Sequence, residues 1–299
     1  MNETVKRIIS GLVIAFIYGL FFNVELWCFF PLYLFICAVT LIVLNEFYSM
    51  FLREPVDKFT KNIAGFFSVL IVTYFYLRAL MIYRVHHKLD SSWVNNMLDS
   101  IPNDPVIIYS VLILIFILLG TYNILTSRLI GALYSTSLAL FGIIYISLTI
   151  PFIFLLRAMP DGVFFIWLVS FITVMTDTAG YAFGKIFGRH KLPLPVSPNK
   201  TWEGYIGAFF SQLMLTIAFY QVVSRFFTVP EYSTLQVIFI SIMIFVTSIF
   251  GDLFESLIKR NADSKDSGHL LPGHGGLLDR VDSIMFSLPV FYLYILITG

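Results

Sequence analysis

The chain has 299 residues, of which 58% are hydrophobic and only 12% charged, with a formal net charge of +1 and a mean hydropathy of +0.86. Soluble domains carry about a quarter charged residues, so the composition excludes one and describes a protein solvated mainly by lipid. The near-zero net charge points to no class of partner. Cys28 and Cys37 fall on one expected helix about 13 Å apart along its axis, too far to pair, and both read as small core residues.

Crossing the hydrocarbon takes about 20 apolar residues as helix, and stretches near 8–24, 26–45, 62–83, 106–124, 130–155, 163–184, 204–224, 234–258 and 281–298 qualify. The runs are unbroken rather than alternating, so they read as helices and not as the strands of a barrel. The expected fold is an all-α polytopic membrane protein of about nine transmembrane helices. The first run follows Lys6 and Arg7 as a signal peptide would, but it continues without a small-residue cleavage site and reads as a retained span. Residues 1–160 hold about five spans. Residues 161–299 hold the remaining four together with two polar loops, 185–203 and 259–280.

Positive charge sets the expected orientation. Lys6, Arg7, Arg53, Lys58, Lys61, Arg128 and the basic residues of both polar loops fall on the N-terminal side. The other side keeps Arg84, Lys88, Arg157 and Arg225, and Arg78 lies within a span. The N-terminus is therefore expected in the cytoplasm and the C-terminus outside, in the cell membrane. Of the outside loops the longest is 84–105, whose His86–His87 pair reads as ordinary surface rather than a metal site.

Acids enter the spans from the polar side. Asp177 lies eight residues before Lys185 and Asp252 seven before Lys259, about 10–12 Å short of their basic helix ends. Asp279 and Asp282 open the last span from the same surface. A charged residue such as Asp at a helix centre costs about 2.5–3.5 kcal/mol, and such residues generally face a bundle interior and mark function. Asp252, Glu255, Ser256 and Lys259 form one polar stripe by their i, i+3, i+4, i+7 spacing. Salt bridges between helices would explain one such acid better than several at matching depth.

Oxygen ligands without Cys suit a hard cation, and Mg²⁺ favours a few carboxylates plus substrate phosphates. Lys259, Arg260, Lys265 and Arg280 suit a polyanion, and Gly273, Gly275 and Gly276 would let backbone N–H groups approach phosphate oxygens. Carboxylates, cations and glycines together describe a nucleoside triphosphate site at the cytoplasmic face, and the absence of G-x-x-x-x-G-K-[ST] excludes a P-loop. In the other loop, Ser197 before Pro198 reads as a helix N-cap and first position, which would put Lys200 in the first turn, where anions are favoured.

The pattern Ser256-x-Ile258-Lys259-Arg260-x₄-Lys265-Asp266-x-Gly268-x₂-Leu271-Pro272-x-His274-Gly275-Gly276-Leu277-x-Asp279-Arg280-Val281-Asp282 resembles the complete signature of the phosphatidate cytidylyltransferases. "DTAGYAFGKIFGRHKL" and "SPNKTWEG" resemble upstream segments of the same family. From about residue 170 the similarity is detailed, whereas the N-terminal half matches only in having several spans. The resemblance implies that CTP and phosphatidate give CDP-diacylglycerol and pyrophosphate, with Mg²⁺ required and a second cation as an option. It implies metal-binding acids at Asp252 and Asp279, to which we add Asp282 as a further ligand or orienting group. Lys259, Arg260, Lys265, Asp266, His274 and Arg280 would complete the catalytic set. Asp177, Ser197, Lys200, Ser256, Gly275 and Gly276 would contact substrate. Expected partners are CTP, phosphatidate and membrane lipid, without nucleic acid, and homodimer formation is left open.

Three other readings stand beside this one. An ion-coupled transporter would want acids near the midplane in repeated, discontinuous helices. A CTP-dependent lipid-alcohol kinase would use similar parts but move the γ-phosphoryl group. A CDP-alcohol phosphotransferase would carry D-x₂-D-G-x₂-A-R, which is absent.

Overall fold

In the computed structural model the described residues are 19, 29–51, 58–86, 96, 98–100, 104, 106–126, 131–268, 270 and 275–298. Their regular elements are all helices, joined by turns and loops, and the pairing of Lys191 with Thr201 is an isolated bridge outside any strand. Eight helical stretches are long and apolar enough to cross a membrane. They match the second to ninth expected spans, and the protein is a multi-pass helical membrane protein. The first expected span, 8–24, lies outside the described residues, as do Cys28 and His87.

The chain divides into two compact units, residues 1–160 with 262–279 and residues 161–261 with 280–299. The first unit contains α1 (Phe30–Met50), α2 (Lys58–His86), α3 (Val106–Leu125), α4 (Ala132–Gly142) and α5 (Phe152–Arg157). The expected fifth span, 130–155, is not one helix. A π-helical turn, Ile143–Ser147, follows α4, and Pro151 stands as the N-cap of α5. Proline has no N–H to continue an α-helical ladder, and the Thr149 hydroxyl donates back to the Tyr145 carbonyl at 2.5 Å. Polar contacts fix this broken span against its neighbours: Ser147 donates to Ser68 Oγ at 2.7 Å, and the Tyr48 hydroxyl donates to the Ala139 carbonyl at 2.8 Å. Arg157, at the end of α5, is buried with its guanidinium 5.9 Å from the Phe29 ring centre.

The second unit contains α6 (Gly162–Phe187), α7 (Trp202–Phe226), α8 (Thr234–Asn261) and nearly all of α9 (Leu278–Thr298), whose first two residues belong to the first unit. Small residues set its packing, because helices in lipid associate through close backbone approach rather than a hydrophobic drive. Gly180 and Gly184 of α6 face Gly204 and Ala208 of α7, and a Cβ at Gly204 would sit 3.0 Å from the Gly180 carbonyl oxygen. Between α8 and α9 the contact is tighter, since a Cβ at Gly251 would lie 2.6 Å from the Asp282 carbonyl oxygen. Gly251 therefore decides how near Asp252 comes to α9.

Candidate active site

Among the described residues, Asp252, Glu255 and Asp282 each offer a carboxylate oxygen within 4.8 Å of the others. Asp252 and Glu255 are one turn apart on α8, and Asp282 enters from the first turns of α9 across the Gly251 contact. Glu255 and Asp282 are 1% and 6% exposed, so their charges are held among protein groups rather than in water. Asp177 of α6 lies close enough to Asp252, Lys200 and Arg280 to interact electrostatically with each, with Ser283 beside it.

Two lysines answer this negative charge. Lys259 Nζ pairs with Glu255 at 2.5 Å along α8, and Lys200 Nζ pairs with Asp252 from the α6–α7 loop. Lys200 is placed by a small hairpin in which Leu192 N–H donates to the Lys200 carbonyl at 2.9 Å and Trp202 N–H to the His190 carbonyl at 3.0 Å. The Glu203 carboxylate holds the start of that hairpin by accepting from the N–H groups of Arg189 and His190. Burial alone would lower the Lys200 pKa, but the Asp252 carboxylate and the Tyr205 hydroxyl together outweigh it and the net shift is upward. The ammonium also lies 5.3 Å from the Tyr205 ring centre.

The helix start expected at Ser197–Pro198 is wrong. Helix α7 begins at Trp202, and its N-cap is Thr201, whose hydroxyl oxygen accepts from Gly204 N–H at 3.2 Å. Ser197 to Lys200 instead form a turn closed by Lys200 N–H donating to the Ser197 carbonyl at 3.3 Å. Ser and Pro at the first two positions suit such a turn as well as a cap. Lys200 thus lies before the helix and reaches the acids through its side chain. Arg260 donates from Nε to the Val196 carbonyl at 3.3 Å, tying the end of α8 to the same loop. Ser256 is half-buried on α8.

The signature residues from Lys265 to Asp279 belong to the first unit. Asp279 Oδ2 accepts from Ser267 N–H at 3.1 Å, from the Ser267 hydroxyl at 2.9 Å and from Gly276 N–H at 2.9 Å. Gly275 has φ of 79°, a left-handed conformation that favours glycine. Lys265 and Asp266 are exposed on the loop. His274 and Gly273 lie outside the described residues.

Two acids were underrated from sequence. Glu255 was visible on the polar stripe but was not expected as a ligand, although its one-turn spacing from Asp252 signalled it. Glu46 of α1 carried no local signal, yet its carboxylate accepts from the N–H groups of Leu277 and Leu278.

Fold and site together define a polytopic membrane protein with a buried, lysine-compensated carboxylate cluster suited to a cation and phosphates. The chain belongs to the Cytidylyltransferase family, whose family model matches residues 5–298. It is 31% identical over 265 residues to a phosphatidate cytidylyltransferase of Staphylococcus haemolyticus, covering 89% of this chain and 90% of that one. A Staphylococcus saprophyticus protein of the same name is 33% identical over 69% of this chain and 72% of its own. One from Staphylococcus aureus is 40% identical over 49% and 55%.

Proposed function

We propose that this chain transfers a cytidylyl group from CTP to phosphatidate, giving CDP-diacylglycerol and pyrophosphate for phospholipid synthesis. The observation that carries the reading is the meeting of Asp252, Glu255 and Asp282 with Lys200 and Lys259 in a chain of the cytidylyltransferase family. The phosphate monoester of phosphatidate has its second pKa near 6, so at neutral pH it arrives largely as a dianion able to attack. No strong base is needed. The work is to hold two polyanions together and stabilise charge on the α-phosphoryl group and the departing pyrophosphate, which is mainly positioning and electrostatics.

The donor set fits Mg²⁺, since it is all carboxylate and its oxygens lie within 4.8 Å of one another on two helices. Asp252, Glu255 and Asp282 would hold the ion, and Asp279 is carried as a further ligand on the strength of the family signature. Bound there, Mg²⁺ would neutralise phosphate charge. Lys200 and Lys259 have three N–H donors each, so each can bridge a carboxylate and a phosphate oxygen. Arg260, Lys265 and Arg280 supply further cations, with Asp266 orienting a neighbouring lysine and His274 donating to phosphate or fixing the loop. Asp177, Ser197, Ser256, Gly275 and Gly276 line the substrates. The distribution of Lys and Arg supports a site at the cytoplasmic face of the cell membrane, where soluble CTP would reach a lipid headgroup.

The deciding assay uses purified protein in detergent with phosphatidate, Mg²⁺ and CTP labelled at either the α or the γ phosphorus. Label from the α position is expected in the lipid product and γ label in pyrophosphate. Lipid carrying γ label would make the protein a kinase, and no transfer from either position would overturn the reading.

A further inference from the structure

Glu46 is a buried carboxylate near the end of α1, 8% exposed, in the half of the chain that carries no part of the family signature. An ionisable side chain in a span is expensive and needs partners. Among the described residues it is held by backbone N–H groups. Oε1 accepts from Leu277 N–H at 3.0 Å and Oε2 from Leu278 N–H at 2.9 Å. These amides belong to the last loop residue and the first residue of α9, where a helix start leaves N–H groups without intrahelical acceptors and favours negative charge. The loop is also moulded around the carboxylate. A Cβ at Gly268 would sit 2.8 Å from Glu46 Oε1, and one at Gly276 would sit 2.8 Å from Oε2. Asp279 closes the same loop internally through Ser267 and Gly276.

We infer that Glu46 is a positioning residue for the transfer reaction: as the external clasp of the signature loop, it holds the conformation in which Lys265, Asp266 and Asp279 are presented to the nucleotide. The inference rests on the cytidylyl-transfer reading for what the loop binds, but not for the clasp itself. It also gives the N-terminal spans a part in the reaction beyond anchoring. Two of the signature's glycines acquire a reason, since Gly268 and Gly276 leave room for an acid supplied from more than 200 residues away.

The test compares the full-length protein with Glu46→Gln, which keeps the side chain's shape but offers one acceptor oxygen for two N–H groups. Losing one charge-assisted hydrogen bond is worth about tenfold. The KM for CTP is therefore expected to rise about tenfold while kcat stays within about threefold and the protein remains folded in detergent at the assay temperature. Glu46→Asp, which retains both oxygens on a shorter arm, should recover part of the loss. Hydrogen exchange of the Leu277 and Leu278 amides should speed up in Glu46→Gln, a readout independent of activity. Unchanged exchange there, unchanged kinetics, or a fall in kcat with KM for CTP untouched would each overturn the inference. If the wild-type protein transferred no cytidylyl group, the functional reading would fail, and the exchange measurement would still judge the clasp.

Discussion

Asp252 and Glu255 sit one turn apart on α8, each paired with a lysine from a different direction. If both hold the cation, their loss should differ in kind from loss of the lysines. Asp252→Asn should leave folding intact and lower turnover on the order of 100-fold or more, the scale set by removing one electrostatic contact to the reacting groups. Glu255→Gln should in addition raise the Mg²⁺ concentration needed for half-maximal rate by about tenfold or more, measured by Mg²⁺ titration of initial rates. An unchanged Mg²⁺ response would remove Glu255 from the metal site. Lys200 offers a pH test. Its folded pKa is raised, so the stability from its charged form is complete below its ordinary value of 10.5 and is lost only as pH climbs through the folded value. The difference in melting temperature between wild type and Lys200→Met should thus be flat from about pH 6 to 9. A slope across that window would mean that the lysine, or the Asp177 carboxyl it faces, titrates within it. Of these residues, Asp252 is legible as chemistry in the sequence because it falls well inside an apolar run, and Lys259 and Lys200 because they fall in the two basic polar loops on the same side. Lys200's partner was not legible, since 52 residues separate it from Asp252.

Among elements, the α8–α9 contact decides the site. Gly251→Ala puts a methyl group 2.6 Å from the Asp282 carbonyl oxygen and 2.9 Å from the Ser283 Cα, backbone atoms that move only if a helix does. Such overpacking costs about 1–3 kcal/mol, and here it also separates Asp252 from Asp282. Activity should fall more than stability does. The control is Gly180→Ala, whose new methyl group meets Ala208 Cβ at an ordinary 3.8 Å and should leave rate and melting temperature nearly unchanged. If both variants behave alike, close approach at Gly251 is not what assembles the acids. The element boundaries show where local pattern suffices. Helix α7 was legible as a span, yet its start was misread because Ser-Pro serves a turn as readily as a cap, and only the hairpin through Lys191 and Thr201 chose between them. The fifth span was likewise read as continuous, because hydropathy is blind to the π-helical turn at Ile143–Ser147 that precedes Pro151.

At the scale of the whole molecule, the expected orientation makes a prediction that enzyme kinetics cannot. With Cys28 and Cys37 replaced by Ala, a single Ser264→Cys should react with a membrane-impermeant thiol reagent in inside-out vesicles and be protected in intact cells. The reverse pattern would put the signature loop outside and remove its access to cytosolic CTP. What the sequence by itself determined is what depends on nearest neighbours along the chain: lipid as solvent, the order and approximate extent of the eight described spans, and a signature confined to 27 residues. Tertiary structure alone decided which acids share a site and what holds the loop. Asp252 and Glu255 met Asp282 across a glycine contact between helices, and Glu46 met amides 231 and 232 residues further on. Hydropathy and helical periodicity are sums over a local window, whereas a hydrogen bond between distant segments depends on how the helices between them pack.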